Sequence, residues 1–218
     1  MRPNLEVIAA ALKDLQGQFE VVNRELTVPR TPLSDAVISN LVLGYAYIDQ
    51  QLLQGDGLLK LGKSAELLEL NGLVLYGDDP AVRREQSSAL KLNRRRFYDD
   101  SEGGVGQLME WLKLHRQDNP WKQAAGVYIR TISQPQLFME GNHRTGALLM
   151  SYLLMKAGLP PFVLSLENAR AHFEPSTLAV NLRKDGFKSL LMIPKIKKRL
   201  AKNLKASASD EFLIPPAQ

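Results

Sequence analysis

Apolar positions recur along this chain every three to four residues, the spacing of helix faces rather than of strands. Leu5, Ile8, Leu12 and Leu15 fall on one face behind Asn4, a residue suited to capping a helix. Ser34 stands before a longer pattern, Asp35 to about Gln54, closed by Gly55 and Gly57. Ser64 opens another helix, Ala65 to Leu70, which runs into LNGLVLYG; there Leu73 to Tyr76 reads equally as a helix end or a short strand. Asp79-Pro80 and Asn119-Pro120 each join a capping side chain to a first-turn proline. The first leads a polar helix towards Asn93, the second a helix through Ala124, Tyr128 and Ile132. Between them, Arg94 to Val105 (RRRFYDDSEGGV) is rich in turn residues and lacks a helical period, which predicts a loop or hairpin before a helix at Gln107 to His115. The stretch Phe138 to Ala157 has a polar front, Glu140 to Thr145, and an apolar run that ends at Gly158, Pro160 and Pro161. A helix apolar on every side belongs in the middle of a fold. Beyond it the pattern predicts an extended FVLS piece and helices at Leu166 to Phe173, Ser176 to Lys184 and Ile196 to Leu204, then a frayed tail. Eight or nine helices with at most a few short strands make an all-α protein.

The chain has 218 residues, 44% hydrophobic and 23% charged, enough for one large domain with a substantial core. The breaks near Arg30 and after Ala206 divide it into an N-terminal helix (1–30), a helical domain (31–205) and a flexible tail (206–218). It has no cysteine, so thiolate chemistry and disulfides are excluded. No charged and apolar leader follows Met1, and the longest apolar run, Ala147 to Ala157, is shorter than the ~20 residues of a bilayer span. The expectation is a soluble, cytoplasmic protein. The net charge of +5 is concentrated at Arg94-Arg95-Arg96 and in Lys195 to Lys205. Either run could meet nucleic acid or an anionic membrane, or simply form a solvated face with Ile196, Leu200 and Leu204 packed inward.

Candidate chemistry gathers where the central helix begins. Its first turn has unpaired N–H groups and the positive end of the macrodipole. Gly141 allows close backbone approach and Arg144 offers a two-pronged grip, so the turn reads as a phosphate cradle. No zinc spacing, Walker loop, dinucleotide fingerprint or nucleophile elbow is present.

Phe138-x-Glu140-Gly141-Asn142-x-Arg144-Thr145 resembles the signature loop of the Fic/Doc (Fido-fold) proteins, His-Pro-Phe-x-Asp/Glu-Gly-Asn-Gly-Arg-x-x-Arg. The helix from Asn119-Pro120 to Ile132 is similar to the one that precedes that loop, and the likeness covers about Leu90 to Lys156. It implies a Fic-like helical domain around a central buried helix. It implies nucleotide transfer, most often of AMP from ATP to a protein hydroxyl with Mg²⁺. Glu140 would be the metal ligand, Gly141, Asn142, Arg144 and Thr145 the nucleotide or anion site, and Phe138 a buried anchor. Arg94 to Val105 would be the β-hairpin flap that clamps a target protein.

Three positions depart from the pattern. Gln136 stands where the family has its catalytic His, and a glutamine amide cannot take a proton from a hydroxyl near neutral pH. His143 replaces the second glycine, and Ala147 replaces the last arginine. Three functional readings stay open: an AMP-transferase-like enzyme of altered chemistry with His143 as substitute base; a non-catalytic nucleotide- or phosphate-binding or protein-interaction module; and a nucleic-acid-associated protein that uses its basic C-terminal helix.

Overall fold

A computed structural model describes residues 1–55, 57–60 and 62–215. The chain is all-α. The helices are α1 (Leu5–Gly17), α2 (Phe19–Arg24), α3 (Asp35–Leu53), α4 (Ser64–Tyr76), α5 (Pro80–Glu85), α6 (Ser87–Phe97) and α7 (Val105–Leu114), then α8 (Pro120–Ile132), α9 (Asn142–Lys156), α10 (Ala169–Val180) and α11 (Phe187–Ala206). Among the described residues β-pairing is limited to isolated bridges, Pro3 with Leu213 and Gln134 with Arg183.

Side-chain caps set the helix starts. The Asn4 carboxamide accepts from the Val7 N–H, Ser34 from Val37, Asp79 from Ala81 and Asn119 from Lys122. Each satisfies one of the orphan donors of a first turn. The central helix is α9, where Leu148, Leu149, Met150, Tyr152 and Leu154 are essentially inaccessible to solvent. It packs against α8, α3 and α4, and α8 also packs against α10 and α11. Gly146 sets the approach of α8 to α9, since a Cβ there would lie 2.8 Å from Tyr128 Cδ2. At the far end Gly158, with φ +75°, closes α9 while the Leu159 N–H reaches back to the Leu154 carbonyl.

Of the two readings open for Leu73 to Tyr76, the helix end holds: these residues finish α4. Several expectations are corrected. The polar helix after Asp79 is two helices, broken at Gln86. The expected Arg94–Val105 hairpin flap is absent: α6 carries Arg94, Arg95 and Arg96 in its last turn, a 3₁₀ turn covers Asp100–Glu102, and α7 begins at Val105. The reason lies in Asn93 and Phe97, one helical turn apart and both buried. The Phe97 ring stacks on Phe138 with centroids 5.2 Å apart and planes 3° apart, which holds the segment helical. The tail is not frayed as far as it is described. Asp210–Phe212 forms a 3₁₀ turn, Phe212 is buried, the Asn4 N–H donates to the Phe212 carbonyl and the Ile214 N–H to the Arg2 carbonyl.

The two helices expected on either side of Pro175 are one, α10, which runs through the proline. A proline has no N–H, so the Ala171 carbonyl one turn back loses its helical partner. The Asn203 carboxamide of α11 takes that place, donating to the Ala171 carbonyl at 2.7 Å. Removing it leaves a carbonyl unpaired, with an expected loss of about 1–3 kcal/mol for Asn203→Ala in urea unfolding. In a Pro175→Ala background the restored N–H claims the same carbonyl, so the Asn203→Ala effect should largely disappear. Equal losses in both backgrounds would mean that the bond does not substitute for the missing rung.

Candidate functional site

The loop that enters α9 is held from outside by buried amides. Asn71 of α4 is fully buried; its Nδ2 donates to the Glu140 carbonyl at 3.1 Å and to Thr145 Oγ1 at 2.9 Å. Its Oδ1 accepts from Asn93 Nδ2 of α6 at 2.5 Å, and Asn93 Oδ1 accepts from the Met139 N–H at 2.9 Å. Asn142 then folds the loop onto itself. Its Oδ1 accepts from the Phe138 N–H at 2.9 Å, while its Nδ2 donates to the Phe138 carbonyl at 2.8 Å and to Gln136 Oε1 at 3.3 Å. Gln136 Nε2 donates back to the Ile132 carbonyl at 3.2 Å. Gly141, with φ +75°, caps α9 in the left-handed region, where a Cβ would also lie 2.9 Å from Asn71 Nδ2.

These contacts place the expected site residues in two groups. Asn142 and Thr145 are buried and Gln136 half-buried, their polar atoms bonded to the loop, to Asn71 of α4 and to the Ile132 carbonyl of α8, and Phe138 is buried with them. Glu140, His143 and Arg144 face outward or into a cavity. Arg144 Nη1 donates at 3.1 Å to the Val74 carbonyl in the last turn of α4, where a cation also suits the helix dipole. Burial pushes the Arg144 pKa down, and Glu140 partly offsets this. The Glu140 side chain is exposed, and among the described residues no group of three His, Cys, Asp or Glu is placed to hold a metal. Mg²⁺ commonly takes one or two carboxylates and completes its shell with phosphate and water, so Glu140 fits it only beside a bound phosphate.

On the other side of the loop, cations grip its carbonyls. Lys184 Nζ donates to the Pro135 carbonyl at 2.6 Å, and the Arg96 guanidinium donates to the neighbouring Gln136 carbonyl. Burial, with Arg130 and Arg96 nearby, pushes Lys184 down to about 7. Arg96, within the segment expected to form the flap, therefore contributes a brace for the loop.

A cavity of about 430 Å³ opens along the first turns of α9. Its walls are largely apolar and aromatic, with Tyr45, Phe162 and Phe173 among them, and its polar lining comes from Arg30, Thr31, His143, Arg144 and His172. Arg30 is positioned by Asn23, whose side chain bonds both its N–H and its carbonyl. Arg30 Nη2 donates to Thr177 Oγ1 at 2.6 Å, its guanidinium lies 5.5 Å from the centre of the Phe173 ring, and its buried Nε has no partner. His172 is sandwiched among Phe162, Tyr128 and Phe173, and its Nδ1 is buried without a partner. His143 Nδ1 shares a hydrogen bond of 2.9 Å with the Tyr128 hydroxyl. Burial first, then Arg30, pushes His143 down to about 4; burial, His143 and Arg30 push His172 down to about 3. Both imidazoles are neutral at physiological pH.

Asn71, Asn93, Arg30, Tyr128 and His172 were not among the residues the sequence marked for the site. A buried amide within the apolar run ELLELNGLVLYG was a signal for Asn71. Asn93, in a polar helix, carried none.

No protein-family model matches the chain, and no curated protein matches it. Among solved structures, a fragment of Fic-1 from C. elegans is similar at a TM-score of 0.48 and 17% identity, over 93% of this chain and 70% of that one.

The two histidines set an acid limit. Each folded pKa lies below the ordinary 6.5, so below pH 6.5 the unfolded chain binds more protons than the folded one, and stability falls with pH until about 4 for His143 and about 3 for His172. At pH 5 the expected loss relative to pH 7.5 is roughly 2 kcal/mol per histidine, since one pKa unit is about 1.4 kcal/mol. Thermal melts across that range check it, and His172→Phe should flatten the profile. An unchanged profile in that variant would remove His172 as a source of the acid sensitivity.

Proposed function

We propose that this chain is a Fic-like domain that binds a nucleotide-like ligand, a flat ring carrying an anion, in the cavity beside the first turns of α9, without catalysing transfer. The supporting observation is the pairing of two buried, unpartnered nitrogens, Arg30 Nε and His172 Nδ1, with aromatic walls in one cavity. Unpaired buried donors and acceptors are costly, and a ligand that meets them regains that energy. The Arg30 and Arg144 guanidiniums supply positive charge for an anion, and Phe162 and Phe173 supply faces for a ring.

Two features argue against transfer by the family's route. The Gln136 amide is bonded to Ile132 and Asn142 and does not titrate. His143, at about 4, is a weak base, and one of its ring nitrogens is already engaged by Tyr128. Glu140, exposed and outside the cavity lining, would be the carboxylate available to a Mg²⁺ held by the phosphates of a bound nucleotide, where the metal would offset their charge. The family assignment itself rests on the loop residues Phe138, Glu140, Gly141, Asn142, Arg144 and Thr145.

Calorimetric titration with AMP, ADP and ATP, each with and without Mg²⁺, tests the reading. Binding by the wild type and a loss of about 10- to 100-fold in Arg30→Ala are expected, the range for a hydrogen bond to a charged group. Arg144→Ala should weaken the phosphate-bearing ligands. Incubation with ATP labelled at the α-phosphate should label no protein. Absence of binding for all three nucleotides would sink the ligand assignment, and transfer of label by the wild type would overturn the non-catalytic reading.

A further inference from the structure

Helix α11 buries one side and leaves the other unusually apolar at its start. Ile196, Leu200 and Leu204 are buried, with Met192 and Ile193 packed beside them. At about 100° per residue Phe187 and Leu191 fall opposite that side and Leu190 on its flank, before Pro194, while Lys195, Lys198, Lys202 and Lys205 fall opposite it beyond the proline. Phe187 is 80% exposed, Leu190 69% and Leu191 62%. All four lysines are exposed. Three large exposed apolar side chains before Pro194 are thus followed, over about 27 Å of helix, by a row of exposed cations beyond it.

The charge of this helix is one-sided. Phe187–Ala206 contains no Asp or Glu and seven cations, Lys188, Lys195, Lys197, Lys198, Arg199, Lys202 and Lys205. Lys197 is turned aside, paired with Asp118 at 3.0 Å and lying over the Trp111 ring. The other six make no ion pair with a described residue. Of the carboxylates near the helix, Asp185 pairs with Arg183 at 3.4 Å, and Glu174 accepts two hydrogen bonds from Thr27 while sensing Arg199. An occupant of the outer face must therefore be anionic, and it must also receive Phe187, Leu190 and Leu191. A nucleic-acid backbone answers the charge but offers no apolar medium to a protruding ridge. A bilayer with anionic lipids answers both, since an amphipathic helix lies in its interface with aromatic and leucine side chains at the acyl boundary and lysines over the headgroups.

We propose that the outer face of α11 is a docking surface for an anionic membrane, with Phe187, Leu190 and Leu191 entering the headgroup–acyl boundary and Lys195, Lys198, Lys202 and Lys205 lying on the acidic headgroups. No described helix is long and apolar enough to cross a bilayer, so the contact is peripheral. None of these seven residues lines the ligand cavity, and the surface stands independently of it.

Vesicle co-sedimentation tests this on the whole chain, with phosphatidylcholine alone and with about one-third phosphatidylserine. The expected result is binding to the acidic vesicles, little to the neutral ones, and release at about 0.5 M salt. Each lysine near an acidic surface is worth about fivefold in partitioning, so K195Q/K198Q/K202Q/K205Q should lose more than 100-fold. F187S/L190S/L191S should lose at least about tenfold at unchanged net charge. All seven positions are exposed, and unchanged thermal melts confirm that the variants fold. The proposal is overturned if wild type ignores acidic vesicles or if the apolar variant binds them equally well. It is overturned too if the ridge is instead the seat of a dimer that F187S/L190S/L191S dissociates in gel filtration. Binding of duplex DNA or RNA in preference to acidic vesicles, unaffected by the apolar substitutions, would assign the face to nucleic acid instead.

Discussion

A carboxamide shut inside a protein must find partners for its donors and its acceptor, and the structure around α9 follows from how Asn71 does so. Its two donors meet the Glu140 carbonyl and the Thr145 hydroxyl, and its oxygen meets Asn93. One side chain thereby joins α4, α6, the entry loop and the first turns of α9. Exchange of any of these partners for water would require opening the core, because Asn71 and Thr145 are inaccessible to solvent and Asn93 nearly so. The left-handed Gly141 fits the same arrangement, since a side chain there would strike Asn71.

The order imposed on the loop also decides what the loop has left to offer. Asn142 and Gln136 bond one another and the backbone, Thr145 faces Asn71, and Arg144 extends to the end of α4. A loop whose side chains are occupied in this way is a scaffold. Two buried nitrogens without a partner lie beside it, on Arg30 and His172, which come from the segment before α3 and from α10.

Several helix boundaries were legible from local signals, though Ser64, expected as a cap, lies inside α4, whose cap position is Lys63 without a side-chain bond. Asn4, Ser34, Asp79 and Asn119 each cap the helix they announced, and Gly158 closes α9. Segments whose conformation depends on a distant partner were not. The end of α6 offers two inward residues, Asn93 and Phe97, too few to make a period, and its helicity rests on Phe138 forty residues on. Pro175 reads as a break until Asn203 is known to stand beside it. The tail is anchored by backbone groups of Arg2 and Asn4, which leave no trace in its own composition. The site divides in the same way. The loop residues were visible as a run, whereas the inward turn of Asn142 and Thr145 depends on Asn71 and Asn93, and the cavity on Arg30 and His172.

The borrowed rung of α10 has a bearing on the order of assembly. A helix with a proline in its seventh position and an open carbonyl behind it has little reason to persist alone, and its missing bond arrives only when α11 lies alongside. His172 is on α10, so a wall of the cavity is secured only after the C-terminal helix has docked. The cavity is then a property of the nearly finished chain, and a partly folded chain without α11 docked would carry the loop but not the pocket.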